Sequence, residues 1–170
     1  MRKTETGLRF ASSTIAPIGV IHTPFKHAKG TPIQTTACQN AKGIVELLPE
    51  FIRGLRDIEG FERIWLIYLL DRASAVQLVV RPYMDEMDRG VFATRSPVRP
   101  NHIGLSAVRL LSAEDNRLLI ADVDMLDGTP LLDIKPYVPA FDSFEHARAG
   151  WLAGKSVAEL VADERFERGH

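Results

Sequence analysis

Two stretches concentrate the residues that could do chemistry. Asp88 to Ile103, DRGVFATRSPVRPNHI, and Asp124 to Tyr137, DMLDGTPLLDIKPY, are dense in Arg, Asp, Asn, Gly and Pro. Such residues are costly in a core, because buried charges must be paired and Pro cannot donate to a sheet ladder, so both stretches read as loops of a site. Arg95 after VFAT, Asp71 and Arg72 after the Trp65 run, and Asp124 and Asp127 after RLLIADV each stand where a strand would open into a loop. A shared rim would collect them. Carboxylates accept ribose hydroxyls or an ammonium, and Arg can fork a carboxylate, so the rim suits a ligand with a hydroxylated sugar and charged ends. The competing reading is structural: ion-pair networks also cluster polar groups, and Asp127-Gly128 is ordinary turn chemistry.

The familiar catalytic signatures are missing. No G-x-G occurs, so the dinucleotide fingerprint is absent. GWLAGKS, Gly150 to Ser156, is one residue short of a phosphate loop and carries Trp151 and Leu152 where backbone must approach phosphate; it reads as helix-end residues. The five histidines, His22, His27, His102, His146 and His170, show no paired ligand spacing, and one Cys offers no zinc framework, so no metal is expected. Ser96 and Ser106 lie near His102, but neither sits in a G-x-S-x-G elbow.

A chain of 170 residues with ordinary apolar and charged fractions fits one globular domain with a core of its own. Cys38 cannot form an internal bridge, and the start, MRKTETGLRFASST, has no apolar block of signal-peptide length, so a cytoplasmic location is expected. The longest apolar run, Ile64 to Leu70, is far below the roughly 20 residues that span a bilayer, and no membrane association is expected. A formal net charge of -1 is not that of a general nucleic-acid binder. Any basic surface must be local: Arg81, Arg89, Arg95, Arg99 and Arg109 face Asp85, Glu86 and Asp88 in sequence, a pattern that also fits a solvated loop of mixed charge.

The elements that must position these residues are mostly short strands. Ile15 to Thr23, Ile44 to Leu48, Val76 to Pro82, Val91 to Thr94 and Leu131 to Ile134 read as strands, and LSAVRLL with RLLIADV as a hairpin across SAEDN. ERIWLIYLL reads as a strand buried on both faces or a barrel wall. Phe51, Leu55 and Ile58 recur at helical intervals after Pro49, which predicts one short helix. Between Pro24 and Lys42 runs a long polar loop with Gln34, Thr35 and Thr36 in its middle, a length that is usually functional or disordered. Many short strands with little strand-helix alternation predict a mainly β fold, a closed or nearly closed β-barrel with peripheral short helices. SFEHARAGWLAGK and VAELVADERFE have helical spacing and could pack on the barrel or on a second subunit. The expected organisation is a flexible segment over 1–14, a barrel domain over 15–142 and a helical extension over 143–170.

IGVIHTPF, the Pro32-Ile33-Gln34 element, GLRDIEGFERIWLIYLLDRA, DRGVFATRSPVRPNHIGLSAV and DMLDGTPLLDIKPYVPAFD occur in this order with compatible spacing. Over Ile15 to Asp142 the chain closely resembles the TrmO (TsaA-like) family of S-adenosylmethionine-dependent tRNA methyltransferases. The resemblance implies a β-barrel methyltransferase unrelated to the Rossmann type, working as a homodimer on the exocyclic nitrogen of threonylcarbamoyladenosine next to the tRNA anticodon. By motif position it implies S-adenosylmethionine contacts, many through backbone, from Gln34, Thr35 and Thr36, from Asp71 and Arg72, from Arg95, from Leu105, and from Asp124, Met125, Leu126 and Asp127.

The acceptor nitrogen belongs to a urea-like group, so a base or a stabiliser of negative charge would help its attack. Asp133, Lys135 and Tyr137 of DIKPY are the candidates, with Lys135 or Arg99 able to meet the substrate's carboxylate and Asn101 placed on the acceptor side. The structural alternative is that Asp133 and Lys135 share one strand face and simply pair. His102 stands where the family commonly has a second proline, a change that leaves Asn101 and Gly104 in place. Longer members carry an additional C-terminal domain, so this form is expected either to rely on a dimer or to use another acceptor, a small molecule or another RNA. A non-catalytic S-adenosylmethionine sensor is the third reading.

Overall fold

The computed structural model describes residues 2–3, 9–10, 14–31, 40–83, 85–155 and 162. Ten strands occur among them: β1 (Arg2–Lys3), β2 (Arg9–Phe10), β3 (Gly19–His22), β4 (Lys42–Leu47), β5 (Arg63–Leu69), β6 (Val79–Val80), β7 (Arg89–Gly90), β8 (Ile103–Glu114), β9 (Arg117–Ala121) and β10 (Thr129–Pro136). Six of them close a barrel in the order β10-β3-β4-β9-β8-β5, antiparallel at every seam. Closure removes the unpaired edges that an open sheet would present. The expected mainly β barrel is therefore the observed architecture.

The wall alternates because successive side chains of a strand point to opposite faces. Along β5 the buried residues are Ile64, Leu66 and Tyr68, while Trp65, Ile67 and Leu69 are half-buried outside. The apolar run is thus a barrel wall rather than a strand buried on both faces. Ile21, Val45, Val108, Leu118, Ile120 and Leu131 complete the interior from the other strands, each fully withdrawn from water. Burial of each such side chain contributes about 1.5–3 kcal/mol. The expected hairpin is formed by β8 and β9, whose turn holds Asp115 at φ 52.

Where the barrel stops, local patterns were weaker guides. The helix expected after Pro49 is a 3-10 segment, Pro49–Leu55, followed by a second one at Ile58–Gly60. Asp57 at φ 67 separates them, since a left-handed residue cannot continue a right-handed helix. Leu55 and Ile58 pack on the core, but Phe51 is 40% exposed.

VFAT is not a strand: Val91–Ala93 is a 3-10 turn in which only Val91 is buried, in a small cluster with Val80 and Val98. The strand expected over Val76 to Pro82 shrinks to β6, paired with β7. Of the helical extension expected after residue 142, the described part to 155 contains one 3-10 turn, Gly150–Leu152, and a short α-helix, α1 (Pro139–Asp142), precedes it. Among the described residues no helix is long and apolar enough to cross a membrane.

Candidate active site

A cavity of about 300 Å³ opens where β5 ends and β8 begins. That volume lies at the lower end of the range for small-molecule sites. Its floor is set by strand alternation, which turns Tyr68 and Ser106 inward. Tyr68 Oη and Ser106 Oγ are 3.0 Å apart, and Ser106 Oγ donates to Asp124 Oδ1 at 2.6 Å. Gly104 pairs with Tyr68 across the ladder, and a Cβ there would overlap the tyrosine ring, so glycine lets the ring lie on the strand.

One wall is the turn after β5, Leu70 to Ala73. Arg72 borders the cavity but spends its guanidinium on backbone: Nη2 donates to Asp127 O at 2.5 Å and Nη1 to Lys26 O at 3.3 Å. It thereby ties three loops together, those around residues 26, 72 and 127. Asp127 itself stands outside the lining. Its carboxylate accepts from Lys26 Nζ and from the Thr23 amide, with His22 Nδ1 3.5 Å away. The Lys26 hydrogen bond holds this carboxyl below its ordinary range against the opposing effect of burial, helped by the Thr23 amide. Met125 is buried and Leu126 half-buried, and both line the cavity with Asp124.

Another part of the wall comes from the stretch between β7 and β8. Arg95 and Pro97 line it, joined by Tyr83. Arg95 is exposed, whereas Arg99 reaches the cavity edge with its guanidinium committed to three carbonyls: Ser96 O at 3.1 Å, Val91 O at 3.2 Å and Thr94 O at 2.7 Å. Arg99 is a staple of its own loop. Leu105 faces outward on β8, 47% exposed, and marks the mouth with Ile103. Asn101 is exposed in the turn before β8 and outside the lining.

The DIKPY residues are not brought to this cavity. Lys135 and Pro136 pair with Trp65 and Ile64, and the Tyr137 amide bonds Arg63 O, toward the end of β5 remote from Tyr68. Lys135 Nζ lies 2.8 Å from Asp133 Oδ2, the pairing that a shared strand face allows, and the Tyr137 ring sits 5.4 Å from that of Trp65. Gln34, Thr35 and Thr36 lie outside the described residues, although Ala28 and Thr31 line the cavity just before them. Sequence reasoning missed Tyr68 and Gly104 and weighed Ser106 only as a nucleophile. The alternation of Ile64, Leu66 and Tyr68 was the signal that could have found the first.

A second polar cluster lies at the start of β5. Asp122, 8% exposed and at φ 66, accepts from Arg63 Nη2, Arg109 Nε and the Asn40 amide. Burial opposes its ionisation, but the hydrogen bonds from Arg109, Asn40 and Arg63 prevail and keep its carboxyl below the ordinary range. Among the described residues no group of His, Cys, Asp or Glu is arranged to hold a metal ion.

The family model of the tRNA-methyltransferase O N-terminal domain matches residues 20–143. This chain belongs to that family. Every described cavity-lining residue except Ala162 falls within the matched tRNA-methyltransferase O domain. A probable S-adenosyl-L-methionine-binding protein of Pyrococcus abyssi is 59% identical over 144 residues, 85% of this chain and 78% of that protein.

The tRNA (adenine(37)-N6)-methyltransferase of Mus musculus is 33% identical over 134 residues, which cover 75% of this chain and 31% of the mouse protein. A crystal structure of TrmO from Pseudomonas aeruginosa superimposes with a TM-score of 0.71 at 40% identity, covering 83% of this chain and 63% of that one. The chain thus spans less than two thirds of the solved TrmO structure and under a third of the mouse enzyme. The matched tRNA-methyltransferase O domain, residues 20–143, contains nearly the whole antiparallel barrel, which begins at Gly19.

Proposed function

We propose that the chain binds S-adenosylmethionine in this cavity and methylates tRNA at the exocyclic nitrogen of threonylcarbamoyladenosine beside the anticodon, as a cytoplasmic homodimer. The observation that carries the reading is convergence. Asp71 with Arg72, Arg95, Leu105, and Asp124 through Leu126 are far apart in sequence, yet they line one cavity of about 300 Å³. The family relatives named for S-adenosylmethionine binding or for tRNA methylation support it.

The lining fits the group. Bound there, S-adenosylmethionine would supply an electrophilic methyl on a cationic sulfur. Asp124, fixed by Ser106, keeps a carboxylate in the cavity, and Asp71 stands at its rim, so negative charge faces a cationic ligand. Arg95 is placed to fork a ligand carboxylate. Pro97, Ile103 and Leu126 give apolar surface for a base ring and keep water out.

Holding donor and acceptor in line is the protein's main contribution, a positional effect that can supply about 7–11 kcal/mol of the barrier. In this reading Asp133, Lys135 and Tyr137 act on the acceptor from a second copy of the chain, since Asp133 and Lys135 lie on the outer face of β10 and Tyr137 directly follows it, and Asn101 faces the RNA. Lys135 rather than Arg99 meets the substrate carboxylate, because three backbone carbonyls already occupy Arg99.

Calorimetric titration with S-adenosylmethionine, followed by nucleoside analysis of tRNA from a deletion strain, tests the reading. Binding together with loss of the methylated nucleoside is expected. Absence of binding overturns the whole reading. Binding with an unchanged tRNA nucleoside profile would assign a small-molecule or other RNA acceptor, and binding without turnover on cell extract would assign a sensor.

A further inference from the structure

Tyr68, Ser106 and Asp124 line the cavity from β5, from β8 and from the turn after β9, and Tyr68 has no role in the reading above. Tyr68 and Ser106 are buried in an interior dominated by Ile, Leu and Val, where hydroxyls are costly unless bonded. The Ser106 hydroxyl carries one proton, which goes to Asp124 Oδ1 at 2.6 Å, so across the 3.0 Å contact Tyr68 Oη is the donor. The hydrogen bonds therefore run one way, from Tyr68 through Ser106 to Asp124. Gly104 sets the ring: a Cβ there would come within 2.5 Å of Tyr68 Cζ, so this ring position requires a glycine inside a strand, which weakens the strand.

Charge balance gives this direction a use. A cationic ligand facing the Asp124 carboxylate makes a neutral pair, and in a site of low dielectric an unpaired charge is costly. Methyl transfer abolishes the cation, because the carbon–sulfur bond breaks with its electron pair left on sulfur, and the acceptor nitrogen, once bonded to the methyl carbon, must lose its proton. We propose that Tyr68, Ser106 and Asp124 form the relay that takes up this proton, with Tyr68 as the residue that meets the acceptor nitrogen. The nitrogen gives its proton to Tyr68 Oη, Tyr68 gives its own to Ser106 Oγ, and Ser106 gives its own to Asp124 Oδ1. Both hydroxyls end neutral as they began, Asp124 becomes a carboxylic acid as the sulfonium becomes a sulfide, and the site is neutral before and after. The cofactor and the acceptor rest on the reading above. The other charged side chains of the cavity are placed elsewhere: carbonyls hold Arg72 and Arg99, and Asp71 and Arg95 are exposed at its edge.

Calorimetric titration of the full chain in two buffers of different ionisation enthalpy counts the protons taken up on binding. Near neutral pH the parent is expected to take up a larger fraction of a proton with S-adenosylhomocysteine, the sulfide product, than with S-adenosylmethionine, since only the sulfide leaves Asp124 without a cation. D124N keeps an acceptor for Ser106 but cannot take the proton, so the difference between the two ligands should vanish. Y68F retains the ring and the Ser106 to Asp124 bond. Per cofactor-binding site it should bind S-adenosylmethionine like the parent and methylate tRNA in a single turnover about a hundredfold more slowly, the size expected for loss of a positioned proton acceptor. S106A leaves both ends of the relay in place and should slow transfer to the same degree. Equal proton uptake for the two ligands, a difference that survives in D124N, or a parent-like transfer rate in Y68F overturns the relay and leaves the functional reading standing. If both ligands bind and tRNA is not methylated, the acceptor in that reading fails and proton uptake decides the relay. If neither ligand binds, the functional reading and the relay fail together.

Discussion

Ser106 on β8 donates a 2.6 Å hydrogen bond to Asp124, joining the inner face of the barrel to the turn that follows β9. Because Tyr68 Oη also lies 3.0 Å from Ser106 Oγ, three residues from three separate parts of the chain form one polar chain lining the cavity, buried at Tyr68 and Ser106 and half-buried at Asp124. Low dielectric strengthens such a chain when it is complete and makes each missing link costly.

Ser106→Ala removes the central hydroxyl and leaves the Asp124 carboxylate and the Tyr68 phenol without their shared partner. A stability loss of about 1–3 kcal/mol is expected, with weaker S-adenosylmethionine binding. Tyr68→Phe keeps the Ser106 to Asp124 bond and should cost less, about 0.5–1.5 kcal/mol. Urea unfolding of both variants checks the order; a larger loss in Tyr68→Phe would refute the assignment of Ser106 as the centre.

Gly104→Ala places a methyl group in the Tyr68 ring and should destabilise by about 1–3 kcal/mol, the usual cost of overpacking. Combined with Tyr68→Leu, which vacates the ring, the same methyl group should cost much less. A double-mutant cycle measures this directly. Strict additivity of the two changes would show that the ring is not the obstacle.

Arg95 and Arg99 look alike in sequence and should behave differently. Arg95→Ala is expected to lower S-adenosylmethionine affinity about tenfold with little change in melting temperature, whereas Arg99→Ala removes bonds to three carbonyls and should lower the melting temperature first. Lys135→Ala should spare cofactor binding and lower turnover. Calorimetry and thermal unfolding on the three variants separate these outcomes, and a cofactor defect confined to Lys135→Ala would reverse the assignment.

Acid should weaken the fold through three aspartates. The Arg89 hydrogen bond lowers Asp85 to about 2, against burial and with help from Lys155, and Asp122 and Asp127 are also held below their ordinary value. A carboxyl depressed in the folded state contributes stability that is fully present above its unfolded value, near 3.8, and is lost as pH falls through the folded value. Urea midpoints should therefore be flat with respect to these groups above about pH 5 and fall below about pH 4. Asp122→Asn should already be less stable at neutral pH and show a shallower acid loss; a parent-like acid slope in that variant would count against the Arg63 and Arg109 cluster.

The barrel was legible because closed antiparallel strands impose a two-residue period that a single strand displays. Ile64, Leu66 and Tyr68 alternate with Trp65, Ile67 and Leu69 whatever the neighbouring strands are. The 3-10 segments at Pro49–Leu55 and Val91–Ala93 were not legible, since seven residues fit a short α-helix as well as a 3-10 one and three carry too little periodicity to distinguish a turn from a strand. Among the site residues, Asp71, Arg72, Arg95 and Asp124 could be picked out as polar groups at strand ends. Their division into cavity-facing and loop-holding groups could not.

What the sequence by itself determined is the six strands of the barrel, their inward faces and the family pattern, because these depend on residue type and on spacing along the chain. Only the tertiary structure decided that Arg72 and Arg99 spend their guanidinium groups on carbonyls, that Lys135 pairs with Asp133 away from the cavity, and that Trp151 Nε1 donates to Ala93 O, two residues before Arg95. Each of those outcomes joins residues through space: a hydrogen bond depends on a distance of about 3 Å and a direction, and neither is written in the order of the residues.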